Sequence, residues 1–412
     1  MSAPTCDVLN TLRARGFVQQ ISDEPALAAL LAKEAVPFYC GFDPTASSLH
    51  VGSMIPLLAM AHLARAGHRP IAVLGGGTAM VGDPSGRTEL RQMMSLETIQ
   101  ENRRTIEPQV RRFIAAAGER AVVVDNSEWL LPLRYVDFLR DIGRHFSVNR
   151  MLTAEAYRQR LERGLSFIEF NYQLLQAYDY LVLWRRFGCA LQVGGDDQWG
   201  NVLAGTDLIR RIEHAETYAL TFPLITTASG AKMGKTAAGA VWLSPERTSP
   251  FDFYQYFVNV DDRDTIRFLK LLTFIPLDEI ERYAALEGAE LRVAKQALAH
   301  AITAIVHGEE EADRAARAAQ AAFGGGQAGS LVPTFQLTGE VLAAGTKVVD
   351  VLHAAGLAAS KSVARRLVEQ GGVRLGERKI TSVDDVIGAD EIGAEGALLH
   401  AGKKHVRRLV KA

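Results

Sequence analysis

A strand, a helix and a second strand follow one another closely in residues 36–83, and this pattern constrains the fold more than any other feature. The apolar run VPFYCGF (36–42) precedes a segment whose apolar residues have helical spacing and which ends at Gly67. The next apolar run, RPIAVL, leads into the glycine-rich loop GGGTAMVGDPSG. Two strands joined through a helix in this way run parallel, so the sequence predicts a βαβ unit within a parallel sheet.

The same kind of junction returns at residues 190–212, where ALQV is followed by Gly-Gly and a helical pattern. Ligands of open parallel sheets bind beyond the carboxyl ends of the strands. Both glycine-rich loops are therefore expected at one binding site. Residues 84–189 lie between the two junctions and are mostly helical and rich in charge. They are too long for a simple crossover, which predicts an insertion whose amphipathic helices offer a dimer surface.

The chain has 412 residues, which is too many for one ordinary core, so several domains are expected. We predict an α/β domain with the insertion over 1–236. Long helical periodicities predict an α-helical domain over 237–323, and a glycine-rich stretch predicts a linker over 324–344. A small α+β domain is predicted over 345–412.

Charge is distributed unevenly along the chain. The net charge is −1, which excludes a uniformly basic nucleic-acid-binding protein, yet residues 345–412 contain twelve Lys and Arg against eight Asp and Glu. A basic tail on an acidic body suggests a nucleic-acid-binding arm, although a solvated charged face explains it equally well. The candidate RNA-binding residues lie on a helix that Ser360 caps and in a predicted hairpin over 373–380. They are Lys361, Arg365, Arg366, Arg374, Arg378 and Lys379.

The three cysteines lie far apart and form neither a C-x-x-C pair nor a zinc-binding spacing. Sparse cysteines fit the reducing cytosol, and the N-terminus has no apolar signal core, so a cytoplasmic location is expected. No apolar run approaches the ~20 residues that a membrane span needs.

Two loops carry residues suited to phosphate. Lys232 and Lys235 of AKMGKT lie among small residues, and two ammonium groups of this kind suit a polyphosphate, although an ordinary surface loop is an alternative. His50 of LHVGS lies at a helix N-terminus, where an imidazole donates to phosphate, and Gly52 lets an adenine approach the backbone. A structural histidine is the alternative there.

Two further segments carry polar residues suited to a small ligand. In VGGDDQWGN, Asp197 is placed to accept from ribose hydroxyls; the alternative is a Gly-Gly turn with Asp196 as a helix cap. Tyr172, Gln176 and Asp179 have the spacing of one helical face. A core stripe is the alternative, but Gln and Asp are seldom buried without partners.

The order of these motifs resembles that of the class I aminoacyl-tRNA synthetases, because HVGS (50–53) and KMGKT (232–236) occupy the places of the family signatures HIGH and KMSKS. FYCGFDPTASSLHVG, GDPSG, LRDIGRHFSVNRML, LQAYDYL and QVGGDDQWGN are similar to the bacterial-type tyrosyl-tRNA synthetase family in particular. The resemblance covers essentially the whole chain. It implies a Rossmann-like catalytic domain with an inserted dimer-interface segment, an α-helical anticodon-recognition domain and a C-terminal RNA-binding domain resembling a ribosomal-protein module.

The resemblance also implies an activity and its partners. L-Tyrosine and Mg-ATP would give tyrosyl-adenylate and pyrophosphate, and tyrosine would then move to the 3′ end of tRNA(Tyr). ATP with Mg²⁺ is a substrate, so no tightly bound metal or organic cofactor is expected. The expected assembly is a homodimer without membrane attachment. Alternatives are the tryptophanyl relatives, an inactive RNA-binding scaffold and a plain adenylyltransferase.

By the same resemblance, three sets of site residues are expected. Catalysis at the phosphates is assigned to Thr45, His50, Lys232, Lys235, Arg87 and Arg91. The tyrosine-binding set is Tyr39, Asp83, Tyr172, Gln176, Asp179, Gln192 and Gln198. The ATP-binding set is Gly41, Asp43, His50, Gly52, Gly195, Asp197 and Lys235. Ser53 and Arg87 depart from the residues that many relatives carry. No general base is needed, because the attacking carboxylate is already ionised at pH 7.

Overall fold

A six-stranded sheet forms the centre of the first of two units, which comprises residues up to Thr226 together with 270–272. Its strands are β1 (Gln20–Ile21), β2 (Pro37–Phe42), β3 (Arg69–Leu74), β4 (Val122–Asp125), β5 (Leu191–Gly195) and β6 (Tyr218–Phe222). The order is β1-β6-β5-β2-β3-β4, and only β1 is antiparallel to its neighbour. The computed structural model describes residues 7–85, 93–153, 157–158, 161, 164–230, 233–236, 239–323, 332–339, 342, 345–402 and 405–412.

Helices connect these strands. They are α1 (Val8–Arg15), α2 (Glu24–Lys33), α3 (Met54–Arg65), α4 (Leu96–Ile114), α5 (Ser127–Leu130), α6 (Tyr135–Asp141), α7 (Val148–Met151), α8 (Phe167–Phe170), α9 (Tyr172–Phe187) and α10 (Trp199–Glu213). The central strands β2, β3 and β5 are buried at nearly every position, which is typical of parallel strands covered on both faces. The predicted βαβ unit is confirmed as β2, α3 and β3.

In the part of the predicted insertion that the structure describes, one strand was not expected from the sequence. β4 pairs parallel with β3 and extends the sheet, so the chain leaves and re-enters the sheet between the two glycine-rich junctions. Its sequence, VVVD, is short and only half-buried, because it lies at the sheet edge.

The second unit, residues 227–269 and 273–412, begins with helices and a small hairpin. The hairpin strands are β7 (Lys235–Thr236) and β8 (Gly239–Ala240), and the helices are α11 (Pro250–Val258), α12 (Asp262–Leu272), α13 (Leu277–Ala284), α14 (Leu291–His307) and α15 (Glu309–Phe323). The last three residues of α12, 270–272, are counted with the first unit. Our predicted boundary at residue 236 therefore differs from the observed division after Thr226.

The rest of this unit is an α+β module. Its strands are β9 (Thr334–Leu337), β10 (Thr346–Lys347), β11 (Val373–Leu375), β12 (Arg378–Ile380), β13 (Val386–Ile387), β14 (Ala397–Ala401) and β15 (His405–Lys411), with helices α16 (Val348–Ala354) and α17 (Lys361–Glu369). Five strands form a sheet of order β12-β11-β14-β15-β9, and β10 pairs with β13. The predicted hairpin, β11–β12, and the Ser360 cap of α17 are both present.

The segment predicted as a linker differs from the expectation. Within 324–344, β9 pairs parallel with β15, and Leu337 and Leu342 belong to the core of the module. The module therefore includes residues before 345. The predicted fold class is otherwise confirmed: a Rossmann-like parallel sheet, a helical region and a small α+β module. Among the residues that the structure describes, no helix is both long and apolar enough to cross a membrane.

Candidate functional site

A cavity of about 360 Å³ opens at the carboxyl ends of β2, β3 and β5. The strand ends and the N-terminal residues of α9 converge there, as the parallel sheet predicts. The cavity brings together every predicted tyrosine-binding residue and most of the predicted nucleotide-binding residues. These are Tyr39, Gly41, Asp43, Thr45, His50, Gly52, Asp83, Tyr172, Gln176, Asp179, Gln192, Gly195, Asp197 and Gln198.

Asp179 lies at a buried end of this cavity and is held from two sides. The indole N–H of Trp129 donates to its Oδ1 over 2.7 Å, and the amide of Asn126 donates to its Oδ2 over 2.9 Å. Burial raises the pKa of Asp179 to about 7, against the lowering effect of these two donors. The negative charges of Asp43 and Asp125 raise it further. The carboxyl group is therefore fixed in position and titrates near neutrality.

Three polar atoms near Asp179 are buried without a hydrogen-bond partner among the described residues. They are the hydroxyl of Tyr39 and the side-chain carbonyl oxygens of Gln176 and Gln192. Burial, and secondarily the charge of Asp179, raise the pKa of Tyr39 well above its usual value, so its hydroxyl stays protonated. Unpartnered buried polar atoms are costly. Their convergence on one cavity indicates a polar ligand that completes their hydrogen bonds.

Carboxylates and amides line the middle of the cavity. Gln198 donates to Asp83 over 2.6 Å, and the backbone N–H of Ser85 donates to the other oxygen of Asp83 over 2.9 Å. The hydroxyl of Tyr172 donates to Oδ2 of Asp43 over 3.0 Å. These contacts join residues from the end of β2, the loop after β3, α9 and the turn after β5. Such a group of acceptors suits a ligand ammonium group.

His50 precedes a short helical turn and its ring is oriented by the backbone. Its Nδ1 accepts from the N–H of Gly52 over 2.9 Å, which places the ring proton of the neutral imidazole on Nε2. A Cβ at position 52 would lie 2.6 Å from Cε1 of His50. The approach of an adenine was the expected reason for a glycine at position 52, and the structure adds a second reason: glycine leaves room for this imidazole.

Two other glycines of the predicted ATP-binding set have different surroundings. A Cβ at Gly41 would meet nothing within 4 Å, so this glycine faces open cavity. A Cβ at Gly195 would lie 2.6 Å from Oδ1 of Asp197, so this glycine gives the carboxylate its position. Asp196 is not the helix cap considered above, because it accepts from Gln20 and Thr221 instead.

The structure does not place four of the predicted catalytic residues at the cavity. Arg87, Arg91 and Lys232 lie outside the described residues. The backbone of Lys235 forms part of β7 in the second unit, and its side chain also lies outside the described part. Their roles remain predictions.

The predicted RNA-binding residues of the module are all exposed. In the sheet, Arg374 pairs directly with Lys379 on one neighbour and with His400 on the other, so the three side chains share a face. Like charges at paired positions are unfavourable. Burial and the charge of Arg374 lower the pKa of His400. The exposed cations Arg374 and Lys379 therefore make this face a basic strip that an anion would stabilise.

Three residues of the site were not predicted from the sequence: Thr78 and Asn126, which line the cavity, and Trp129, which donates to Asp179. Asn126 and Trp129 follow β4 directly, and Thr78 follows β3. Their position just after an apolar run was the sequence signal that could have identified these three residues. For Asn126 and Trp129 the signal was lost, because β4 itself was not predicted. A second cavity of about 750 Å³ was also not predicted; its lining includes Asp197, Trp199, Arg150 and Arg211.

Two segments of the chain are similar to known protein families. Residues 31–324 match the family model described as tRNA synthetases class I (W and Y), and residues 346–392 match the S4 domain. The chain is 49% identical to the tyrosine–tRNA ligase of Clostridium tetani (strain Massachusetts / E88) over 98% of this chain and 99% of that protein. It is 50% identical to that of Acetivibrio thermocellus, covering 98% of each. A solved structure of a C-terminally truncated Aspergillus nidulans mitochondrial tyrosyl-tRNA synthetase is similar with a TM-score of 0.70 and 31% identity, over 77% of this chain and 94% of that one.

Proposed function

The chain belongs to the class I tRNA synthetases, among the bacterial-type tyrosine–tRNA ligases, and from this premise we propose that the cavity of the first unit binds L-tyrosine and ATP side by side. As a tyrosine–tRNA ligase, the enzyme attaches tyrosine to its tRNA, with ATP as a substrate. One observation carries the assignment of the cavity: the unpartnered hydroxyl of Tyr39 and the carboxyl of Asp179 meet at its buried end. A phenol hydroxyl, which donates and accepts, completes both groups.

The rest of the amino acid then reaches toward the middle of the cavity. Its ammonium group meets the acceptors of Asp83, Tyr172 and Gln176, and Gln198 lies near its carboxylate. ATP occupies the side bordered by Gly41, Asp43 and Asp197, where His50 directs Nε2–H to the phosphates. The tyrosine carboxylate attacks the α-phosphorus, and the bond to pyrophosphate breaks. A hydroxyl of the 3′-terminal adenosine then attacks the adenylate carbonyl and releases AMP.

Catalysis in this scheme is positioning together with stabilisation of developing charge. The nucleophile is ionised at pH 7, so no residue must remove its proton. Thr45, His50, Lys232, Lys235, Arg87 and Arg91 are assigned to the departing pyrophosphate, where negative charge develops.

Mg²⁺ would arrive with the ATP phosphates. Among the described residues, the one His, Asp and Glu group close enough to share a metal is His300, Glu309 and Asp313 of α14 and α15. None of these residues lines the cavity. The phosphate oxygens of ATP would therefore supply ligands to Mg²⁺, and acidic side chains of the cavity such as Asp43 and Asp197 would add to them.

The module is assigned to tRNA binding through its basic strip and α17. Arg374 and Lys379 share one face of the sheet, and Arg365 and Arg366 lie exposed on α17. Phosphate oxygens would relieve the repulsion between neighbouring cations. The larger cavity shares Asp197 with the first, and we assign it to the entry of the 3′ end of the tRNA.

The interface of a homodimer is assigned to an apolar surface of the predicted insertion. Tyr135, Val136, Val148 and Phe167 are 60%, 74%, 55% and 69% exposed. Large exposed apolar side chains that cluster in one segment mark interaction sites. We expect a dimer in sedimentation experiments and a monomer for Val136→Asp with Phe167→Asp; an unchanged dimer would exclude this surface.

Amino-acid-dependent ATP–pyrophosphate exchange with all twenty amino acids tests the assignment of the cavity. Tyrosine is expected to stimulate exchange, and tryptophan is not. Stimulation by tryptophan alone would contradict the proposed pocket. Loss of tRNA charging with normal exchange would leave the pocket intact and contradict only the tRNA assignment.

A further inference from the structure

The hydroxyl of Thr78 joins two parts of the cavity that the proposed function treats separately. Thr78 is buried in the turn after β3. Its Oγ1 donates to Oδ1 of Asp43 over 2.7 Å and accepts from Nδ2 of Asn126 over 2.9 Å. A hydroxyl has one proton, so the bond from Asn126 directs that proton to Asp43.

Asn126 is itself held in one orientation. Its Oδ1 accepts from the backbone N–H of Gly77 over 2.8 Å, and its amide also donates to Oδ2 of Asp179 over 2.9 Å. Both amide protons are therefore engaged, one by Thr78 and one by Asp179. Asn126 is 1% exposed. It forms a fixed point between the carboxyl of Asp179 and the hydroxyl of Thr78.

The backbone makes room for the bond between Thr78 and Asp43. A Cβ at Gly75 would lie 1.9 Å from Oδ1 of Asp43 and 2.5 Å from Oγ1 of Thr78. Any other residue at this position would separate the two groups. The first glycine of GGGT therefore serves a contact within the protein, although the sequence analysis assigned this loop to a ligand.

We propose that Thr78 is a positioning residue whose hydroxyl holds the Asp43 carboxylate on the nucleotide side of the cavity, with Asn126 as the fixed point shared with Asp179. The inference rests on the proposed function, in which Asp43 borders ATP and Asp179 meets the phenol. Without the hydroxyl, Asp43 retains its bond from Tyr172 but loses the hydrogen bond that Thr78 donates to its second oxygen. Asp179 keeps its donors, Asn126 and Trp129. Removal of the Thr78 hydroxyl should therefore impair the use of ATP more than the binding of tyrosine.

Thr78→Val removes the hydroxyl at constant shape, and Thr78→Ser is the matched control that retains it. In tyrosine-dependent pyrophosphate exchange, we expect Thr78→Val to lower kcat/KM for ATP about 10- to 100-fold, the usual range for loss of a hydrogen bond to a charged group. The dissociation constant for tyrosine and the preference for tyrosine over phenylalanine should change less than kcat/KM for ATP, because Asp179 keeps its donors Asn126 and Trp129 in the variant. Thr78→Ser should retain most of the wild-type kcat/KM for ATP.

Thr78→Ala guards against a fold defect in the valine variant, because it places no methyl group against Asp43, and thermal unfolding is recorded for all variants. Equal losses for ATP and tyrosine, no loss for either, or failure of Ser to recover activity would overturn the role of Thr78. A wild-type enzyme without tyrosine-dependent exchange would instead overturn the proposed function, and this inference with it.

Discussion

The indole N–H of Trp129 lies 2.7 Å from Oδ1 of Asp179, although 50 residues separate them in the chain. The bond fixes the carboxyl that we assign to recognition of the tyrosine hydroxyl. The amide of Asn126 donates to the other oxygen from a second direction, so the two bonds together hold the carboxyl in one orientation.

Trp129→Phe is expected to weaken tyrosine binding by about tenfold, because it removes a donor to a charged group while keeping an aromatic ring. Equilibrium dialysis with labelled tyrosine measures the change. Trp184→Phe is the matched control, since Trp184 packs in the same apolar cluster. Equal losses in both variants would indicate a packing effect and contradict the role of the Trp129 N–H.

Tyrosine affinity is expected to rise with pH until the pH exceeds about 7, the value to which burial raises the pKa of Asp179. The sign follows because deprotonation creates the carboxylate that accepts the phenol proton most strongly. Below that pKa, affinity should fall by roughly tenfold for each pH unit. Fluorescence titration over a pH series measures it, with Asp179→Asn expected to bind weakly and without this pH dependence. A sloping profile in Asp179→Asn would assign the titration to another group.

Gly52→Ala is expected to slow adenylate formation by about 10²-fold, because the new Cβ displaces the imidazole of His50 by a fraction of an ångström or more. Tyrosine binding should change little, since His50 lies on the nucleotide side. Rapid-quench measurement of adenylate separates these effects. Gly41→Ala, whose Cβ enters open cavity, should instead raise KM for ATP. Normal rates in Gly52→Ala would refute the assignment of His50.

Arg374→Gln combined with Lys379→Gln is expected to reduce the salt dependence of tRNA binding. Each lost phosphate contact lowers the slope of log affinity against log salt by about 0.7–0.9, so the pair should lower it by about 1.4–1.8. Filter binding over a salt series measures the slope, and Lys33→Gln on α2 is the control. An unchanged slope would exclude the basic strip from the tRNA interface. Pyrophosphate exchange should remain normal, because these residues lie outside the cavity.

Arg407 and Asp252 are expected to stabilise the second unit as a pair. The guanidinium donates to both carboxylate oxygens, over 2.8 and 2.7 Å, and the side chains are only 16% and 29% exposed. A double-mutant cycle with Arg407→Gln and Asp252→Asn, followed by denaturant unfolding, should give a coupling of about 1–3 kcal/mol. The exposed pair Lys347 and Asp384 should give no more than about 0.5 kcal/mol. Equal coupling energies for the two pairs would mean that the partial burial of Arg407 does not strengthen its ion pair.

The contacts of Arg407 also bear on where the chain can be cut. Phe251, Ala318, Val332 and Val406 form one apolar cluster, which joins the module to α11 and α15. Removing the module uncovers Phe251 and takes the ion-pair partner Arg407 from Asp252, so truncation should destabilise the helical part as well as weaken tRNA binding.

The sequence by itself determined the features that depend on near neighbours in the chain. Tyr172, Gln176 and Asp179 line one cavity because helix geometry places such spacings on one face. The Ser360 cap and the hairpin of β11 and β12 follow from local hydrogen bonds in the same way. The βαβ order also placed the site at the carboxyl ends of the strands.

Only the tertiary structure decided which distant side chains meet. Gln198 contacts Asp83 across 115 positions, and Asn126 reaches Asp179 because the edge strand β4 brings it to the cavity. β9 joins the module because β15 offers it an edge, although Thr334–Leu337 is short and follows a glycine-rich stretch. Strand pairing and burial act over long separations, and a pattern read along the chain does not say which of two strands far apart in the sequence will lie side by side.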